Sequence, residues 1–247
     1  MIRYAIDDVI ALTSTRENGY SQGVYAANNM GFRCGDEAEN VKKNYQKLAA
    51  ELGIAPESIY YPYQAHTANI IKINQGDSLP LEPCDALYTT TKDVFVGVLT
   101  ADCLPILIYC AQPFICCAIH SGWKGSTKLI TTKVINYLLT NENLDPKNTT
   151  VVLGPAIKRA DYEVGPDVYE AICQHQEFSP AECFEKIKGT KYLYDNKLFN
   201  LKQLQKFNFK TIINCDESTT DTTKYYSYRK EGTTGRLLSL IGQKSND

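Results

Sequence analysis

Histidine is scarce in this sequence: 3 of 247 residues, at positions 66, 120 and 175. A metal centre or acid–base site built on imidazole therefore has few members to draw on. An excess of basic charge is missing too. With 26 Lys and Arg against 28 Asp and Glu the formal net charge is −2, and the composition carries none of the bias that binding to duplex nucleic acid leaves. A small-molecule partner is expected and a nucleic acid is not. No apolar run approaches the roughly 18 residues of a membrane span. The opening stretch MIRYAIDDVIALTSTREN sets Asp7 and Asp8 where a secretion signal needs an apolar core. A soluble, cytoplasmic protein without membrane contact is the expectation. None of the nine cysteines forms a C-x-x-C pair, which argues against a zinc ribbon or a thioredoxin-type redox pair. Cys110, Cys116 and Cys117 lie in apolar runs and read as reduced core residues.

What is present supports a substantial core, since 43% of the chain is hydrophobic, and the length suits one domain spanning 1–247. The clearest helix signal is GDEAENVKKNYQKLAAELGI. Asp36 stands as its cap, Glu39 follows three residues on, Val41, Tyr45, Leu48, Ala49 and Leu52 recur at helical spacing, and Gly53 stops it. VFVGVL, PILIYC and FICCAI read as buried strands. SGWKG then makes a strand-to-helix turn before TKLITTKVINYLLT, whose Leu129, Ile130, Val134, Tyr137 and Leu138 suit one helical face, and the helix N-terminus there would favour an anion. TTVVLGP and KTIINC read as further strands. LFNLKQLQKF and the stretch after Gly165 read as helices, Pro166 suiting a first turn. CQHQEFSPAECFEKIKGT has the look of a mobile excursion. Strands interleaved with helices predict an α/β or α+β sandwich, a mixed sheet core flanked by helices.

Reactive residues sit at the ends of the apolar runs. Cys103 opens one strand and His120 closes the next, so an antiparallel pair would bring them to one sheet edge. With His66 from YPYQAHTANI they offer two imidazoles and a thiolate, a set suited to zinc or copper with a fourth position left for water or substrate. The same residues also read as a nucleophile and its base: Cys103 attacks a carbonyl, His120 takes the proton, and the SGWKG backbone holds the oxyanion. A third reading leaves Cys103 as core and each histidine as a turn residue. Asp102 is placed to orient a histidine or carry a proton. Trp123 offers a plane for a flat ring or else packs in the core. Arg229, Lys230 and Arg236 form a cationic tail able to hold phosphate or simply to face solvent, and Arg16 has the same two readings. His175, in the polar stretch CQHQ, reads as surface.

Taken in order, TSTRENGYSQGVYAANNMGFRCGDEAENVKKN, QAHTANI, TADCLPILI, AIHSGWKGS, LGPAI, YEVG and YSYRKEGTTGR resemble the blocks of the multicopper polyphenol oxidoreductase family. Its members are also called laccase-domain proteins and are associated with purine nucleoside phosphorylase activity. The resemblance implies a metal site, zinc before copper, on His66, Cys103 and His120, and a sandwich fold distantly similar to that of certain cysteine hydrolases. It implies a purine nucleoside and phosphate as substrates, with adenosine deamination as an accompanying activity. Lys124, Arg229 and Arg236 are then candidates for the phosphate, Trp123 for the purine, and Cys103, His120 and Asp102 for the chemistry. A cysteine hydrolase acting on an amide and a copper-dependent polyphenol oxidase are the alternatives, the latter poorly matched by three histidines. Ala156, Lys158 and Asp161 depart from the family pattern. Tyr45 stands where many members have arginine, and Ser121 replaces the usual alanine, a small change.

Overall fold

The computed structural model describes residues 1–245. In chain order its strands and helices are β1 (Ile2–Arg3), β2 (Ile10–Thr13), α1 (Ala38–Leu52), β3 (Ile59–Tyr60), β4 (Ile70–Lys72), β5 (Ala86–Thr89), β6 (Phe95–Thr100), β7 (Leu104–Cys110), β8 (Ile115–Ser121), α2 (Trp123–Thr127), α3 (Ile130–Asn141), β9 (Thr149–Leu153), β10 (Glu163–Val164), α4 (Pro166–Cys173), β11 (Phe184–Lys186), β12 (Tyr192–Tyr194), α5 (Asn196–Leu204), β13 (Thr211–Asn214), α6 (Tyr228–Glu231) and β14 (Leu237–Gly242). A five-stranded sheet runs β1-β2-β14-β6-β3 and a six-stranded sheet β13-β9-β7-β8-β5-β4, with β10-β12-β11 as a small third sheet. Both large sheets mix parallel and antiparallel pairs.

Strand alternation explains the layering. In β7 and β8, Ile106, Ile108, Cys117 and Ile119 point to one face, where Ile130, Val134, Ile135 and Leu138 of α3 cover them. Leu107, Tyr109, Cys116 and Ala118 point to the other, meeting Val96 and Val98 of β6 and Ile241 of β14. The outer face of the five-stranded sheet is closed by Val41, Tyr45, Leu48 and Leu52 of α1 against Leu12, Phe95, Leu238 and Leu240. The expected α/β sandwich is therefore present, with two sheets face to face and a helix on each outside. Cys84, Cys110, Cys116, Cys117 and Cys183 are buried free thiols that act as packing groups, and burial pushes Cys84 and Cys183 up to about 12 and raises Cys116 and Cys117, which keeps these four unreactive.

Several local expectations are corrected. The first helix begins at Ala38 after Glu37, because the Asp36 carboxylate takes the Glu37 N–H and the Asn29 amide instead of capping. Gly53 ends it in the left-handed conformation, φ 62°. The helix after SGWKG is two helices, broken where Leu129 adopts φ 54° and turns its side chain toward Val164, Val168 and Phe199. Tyr137 is exposed and leans on Tyr88 at the end of α3. The stretch taken for a mobile excursion is packed: Phe178 and Cys183 are buried with Ile172 and Phe199. His175 is half-buried, its Nε2 donating to the Thr127 carbonyl at 2.9 Å.

Candidate metal centre

Register places the first two site residues. β7 and β8 pair antiparallel with Pro105 opposite His120, so Cys103, two residues before Pro105, lies at the same end of the sheet as His120. His120 shares the parity of Cys116 and Ala118, which puts its ring on the face between the two sheets, where β6 ends. His66 arrives from the segment before β4. The Nδ1 or Nε2 of each histidine and the Cys103 Sγ all lie within 4.8 Å of one another, and the two imidazole rings are 5.0 Å apart. Among the described residues no other group of His, Cys, Asp or Glu is arranged to hold a metal ion, and Cys84 does not join this one.

The residue that organises the triad went unnoticed in the sequence. Asp85 is fully buried and accepts from His120 Nδ1 at 2.7 Å, which fixes that ring and leaves Nε2 for the cluster. The same carboxylate accepts the backbone N–H groups of Ala65, His66 and Thr67 and the Thr67 hydroxyl. Consecutive N–H groups converging on one anion form a backbone nest, and this accounts for His66 holding φ 55°, a conformation a non-glycine residue keeps only when its surroundings impose it. Lys128 Nζ donates to the His66 carbonyl at 2.5 Å. Asp85 has no signature of its own in CDALYTT; its role appears only once β5 pairs with β8, whose His120 N–H donates to the Asp85 carbonyl at 2.7 Å.

The electrostatics follow from these contacts. Burial, helped by the neighbouring His120, lowers His66 to about 4, so its imidazole is neutral near pH 7, as a metal ligand must be. Burial opposes charge on His120 as well, but the Cys103 sulfur and the Asp85 carboxylate outweigh it and raise this histidine to about 9 in the metal-free site. Burial works against the Asp85 charge, and the hydrogen bonds from His120 and Thr67 overcome it to bring the carboxyl down to about 2.

Three observations fit a soft or borderline metal ion to this cradle. His66 Nδ1 is buried without a hydrogen-bond partner, which a folded protein normally avoids. The donors are two nitrogens and one sulfur, the chemistry of zinc or copper. Gly122 leaves the required space, since a Cβ there would meet Cys103 Sγ at 2.8 Å and His66 Nδ1 at 3.0 Å.

Buried polar contacts lock the turn that follows His120. Ser121 Oγ lies 3.0 Å from Ser126 Oγ and donates to Asn200 Oδ1 at 3.0 Å, while Asn196 Nδ2 donates to the Ser121 carbonyl at 2.7 Å. Asn200 Oδ1 also accepts from Thr131, and its Nδ2 donates to Ser126. Serine at 121 is thus no minor change: its hydroxyl joins β8 to α2 and α5. Asn200→Ala should leave the buried Thr131 hydroxyl without its acceptor and take one bond each from Ser121 and Ser126, which keep each other and Asn196, and so lower unfolding stability by about 1–3 kcal/mol. Urea denaturation checks this, and a shift below about 0.5 kcal/mol would show the network to be dispensable.

The triad opens into a cleft of about 520 Å³ whose lining includes Asp102, Trp123, Tyr162, Tyr228, Arg229 and Arg236. Trp123 is half-buried, packing beside the α4 cluster and still lining the cleft, so its two sequence readings combine. Lys124 is exposed, its Nζ 5.6 Å from the Trp123 ring centroid. Asp102, with φ 91°, accepts from Thr219 Oγ1 and from the Arg229 N–H, each at 2.7 Å; the orienting of His120 falls to Asp85. Arg229 donates to the Glu163 carbonyl and lies over Tyr162. Arg236 donates through Nη1 to the Thr234 and Gly235 carbonyls. Arg16 lies elsewhere, bonded to the carbonyls of Ala26, Thr222 and Tyr225 and to Glu231. Asp161 accepts from Lys230 Nζ at 2.8 Å and from Thr220, tying the basic tail to the cleft wall.

A mixed α/β sandwich with one His-Cys-His cluster at the mouth of its inter-sheet space defines a class of candidate metalloproteins. Over residues 10–244 the chain matches the family described as multi-copper polyphenol oxidoreductase laccase, and it belongs to that family. It is 32% identical over 234 residues to a purine nucleoside phosphorylase, YfiH, of Escherichia coli (strain K12), covering 94% of this chain and 93% of that protein. A purine nucleoside phosphorylase of Corynebacterium glutamicum is 31% identical over 233 residues, with 92% of each chain covered. Among solved structures, the hypothetical protein YfiH of Bacillus licheniformis superposes with a TM-score of 0.91 at 27% identity, over 96% of this chain and 93% of that one. YlmD from Geobacillus stearothermophilus gives 0.90 at 27% identity, over 97% and 93%. The several coppers in the family's description do not fit this chain: the described residues form one three-ligand cluster. No helix among them is long and apolar enough to cross a membrane.

Proposed function

We propose that this chain is a zinc-dependent purine nucleoside phosphorylase that takes adenosine- or inosine-type nucleosides and inorganic phosphate to the free base and ribose 1-phosphate. The observation carrying this reading is the opening of the His66, Cys103 and His120 cluster into a cleft that combines aromatic faces with two arginines; relatives bearing the phosphorylase name support it. Phosphorolysis breaks the bond between the ribose anomeric carbon and the purine nitrogen and forms one to a phosphate oxygen. The site must therefore hold an anion beside a sugar that gains positive charge. Arg229 and Arg236 are the candidates for that hold, with Asp102 fixing the backbone at Arg229. Trp123, Tyr162 and Tyr228 supply planes for the purine. Asp85 keeps His120 in one orientation, and Gly122 keeps the ligand side clear. A zinc ion held by the triad would supply a Lewis acid; copper suits the same donors.

Adenosine deamination is the second reading, favoured by a triad of only three ligands facing an accessible cleft. Incubating the protein with adenosine or inosine, with and without phosphate, decides among the readings. Phosphate-dependent release of free base and ribose 1-phosphate, abolished by a chelator, is the expected result. Ammonia released from adenosine without phosphate would establish deamination instead. Amide cleavage that survives chelation and needs Cys103 would return the site to the cysteine-hydrolase reading and overturn the proposal.

A further inference from the structure

A second cavity of about 430 Å³ adjoins the metal cleft, and the two share Gln64, Leu99 and Arg236 as a common wall. Its other surfaces are of a different kind. Phe32, Tyr61 and Tyr63 line it with Leu79 and Pro80, and Phe32, Tyr63 and Leu79 are each between 37% and 40% exposed, a cluster of uncovered apolar surface rather than scattered side chains. The Phe32 and Tyr61 rings stack at 6.2 Å with an interplanar angle of 13°, and buried Tyr45 stacks behind Phe32 at 5.6 Å, which holds the aromatic wall in place.

Charge in this cavity has one sign. Arg33 lies over the Tyr63 ring at 4.0 Å, no carboxylate lines the space, and among the described residues neither Arg33 nor Arg236 forms an ion pair. Gly31 lets the Arg236 stem close against the cavity floor, since a Cβ there would meet Arg236 Cγ at 2.8 Å. The partition between the cavities thus carries a cation, and the far chamber offers flat apolar faces and a second cation. Stacking planes beside guanidinium groups are the means by which proteins hold an unpaired base and its phosphate.

We infer that the aromatic cavity is a subsite for a second ring joined through a phosphate to the nucleoside in the metal cleft, so that dinucleoside monophosphates bind across both chambers. This rests on reading the metal cleft as the nucleoside site. One ring lies at Trp123 and Tyr162, the phosphate at Arg236, and the second ring between Tyr63 and the Phe32–Tyr61 wall under Arg33.

Calorimetric titration of the zinc-loaded protein with adenosine, adenosine monophosphate and the dinucleoside monophosphate ApA tests this. ApA should bind at least about tenfold tighter than adenosine, with the monophosphate between them. Tyr63→Ala and Arg33→Ala should each remove most of that advantage while leaving adenosine affinity and inosine phosphorolysis unchanged, and Arg33→Lys should restore part of it. Both side chains are exposed, and an unchanged melting temperature confirms that the variants fold. Equal affinity of ApA and adenosine for wild type, or equal weakening of both ligands by the variants, overturns the subsite. Should inosine phosphorolysis be absent while ApA keeps its advantage, the catalytic reading fails and the subsite stands; phosphorolysis without an ApA advantage is the converse.

Discussion

Asp85→Ala should be among the most damaging single substitutions in the protein, lowering unfolding stability by about 3–5 kcal/mol and zinc affinity by about 10- to 100-fold. One buried carboxylate holds His120 Nδ1, the consecutive N–H groups at residues 65–67 and the Thr67 hydroxyl. Removing it leaves those donors without their shared acceptor around a fully buried position and releases two of the three proposed ligands together. Asp85→Asn keeps the volume but turns an N–H2 group toward donors, so it should rescue little. The pH dependence has a definite sign. The folded carboxyl is depressed from its ordinary 3.8 to about 2, so its contribution is complete above the unfolded-state value and is lost as pH falls through about 2. Metal-free wild type should lose stability across that window, and the alanine variant should show a shallower loss. Urea titrations at several pH values and a zinc competition assay measure both effects. Wild-type stability and affinity in Asp85→Ala would show that the carboxylate does not organise the site.

Cys103→Ser should abolish tight zinc binding and turnover while leaving the fold close to wild type. Cys103 is half-buried beside the cleft and is not a core cysteine, so exchanging sulfur for oxygen costs little packing. A serine hydroxyl is a poor replacement for a thiolate toward zinc or copper. Loss of a direct ligand should exceed the roughly 10- to 100-fold seen for supporting residues. Paired measurements of zinc content and of base release from inosine check this. Retained metal with lost activity would favour a nucleophilic cysteine, and retained activity would remove Cys103 from the chemistry.

Much of this arrangement was legible in the sequence. The unbroken apolar runs PILIYC and FICCAI read as buried strands, and an antiparallel turn between them was enough to bring Cys103 and His120 to one edge. Asp85 was not legible, because its meaning depends on pairing across 35 residues and on a backbone nest, neither of which leaves a local pattern. The break at Leu129 was hidden for a related reason: TKLITTKVINYLLT keeps helical spacing, and only the apolar cluster at α4 draws Leu129 away. Arg16 looked like Arg229 and Arg236 by residue type, yet its hydrogen bonds bind the tail segment to the amino-terminal loop, while the other two line the cleft. Charge alone does not distinguish an anion-binding arginine from one satisfied by carbonyls.

X-ray absorption at the zinc edge, on protein reconstituted with one equivalent of the ion, tests the convergence of His66, Cys103 and His120 most directly. The expected spectrum has one sulfur at about 2.3 Å, two imidazole nitrogens at about 2.0–2.1 Å and one further light atom, with the sulfur shell absent in Cys103→Ser. A wild-type shell without sulfur, or one with two sulfurs, would contradict it.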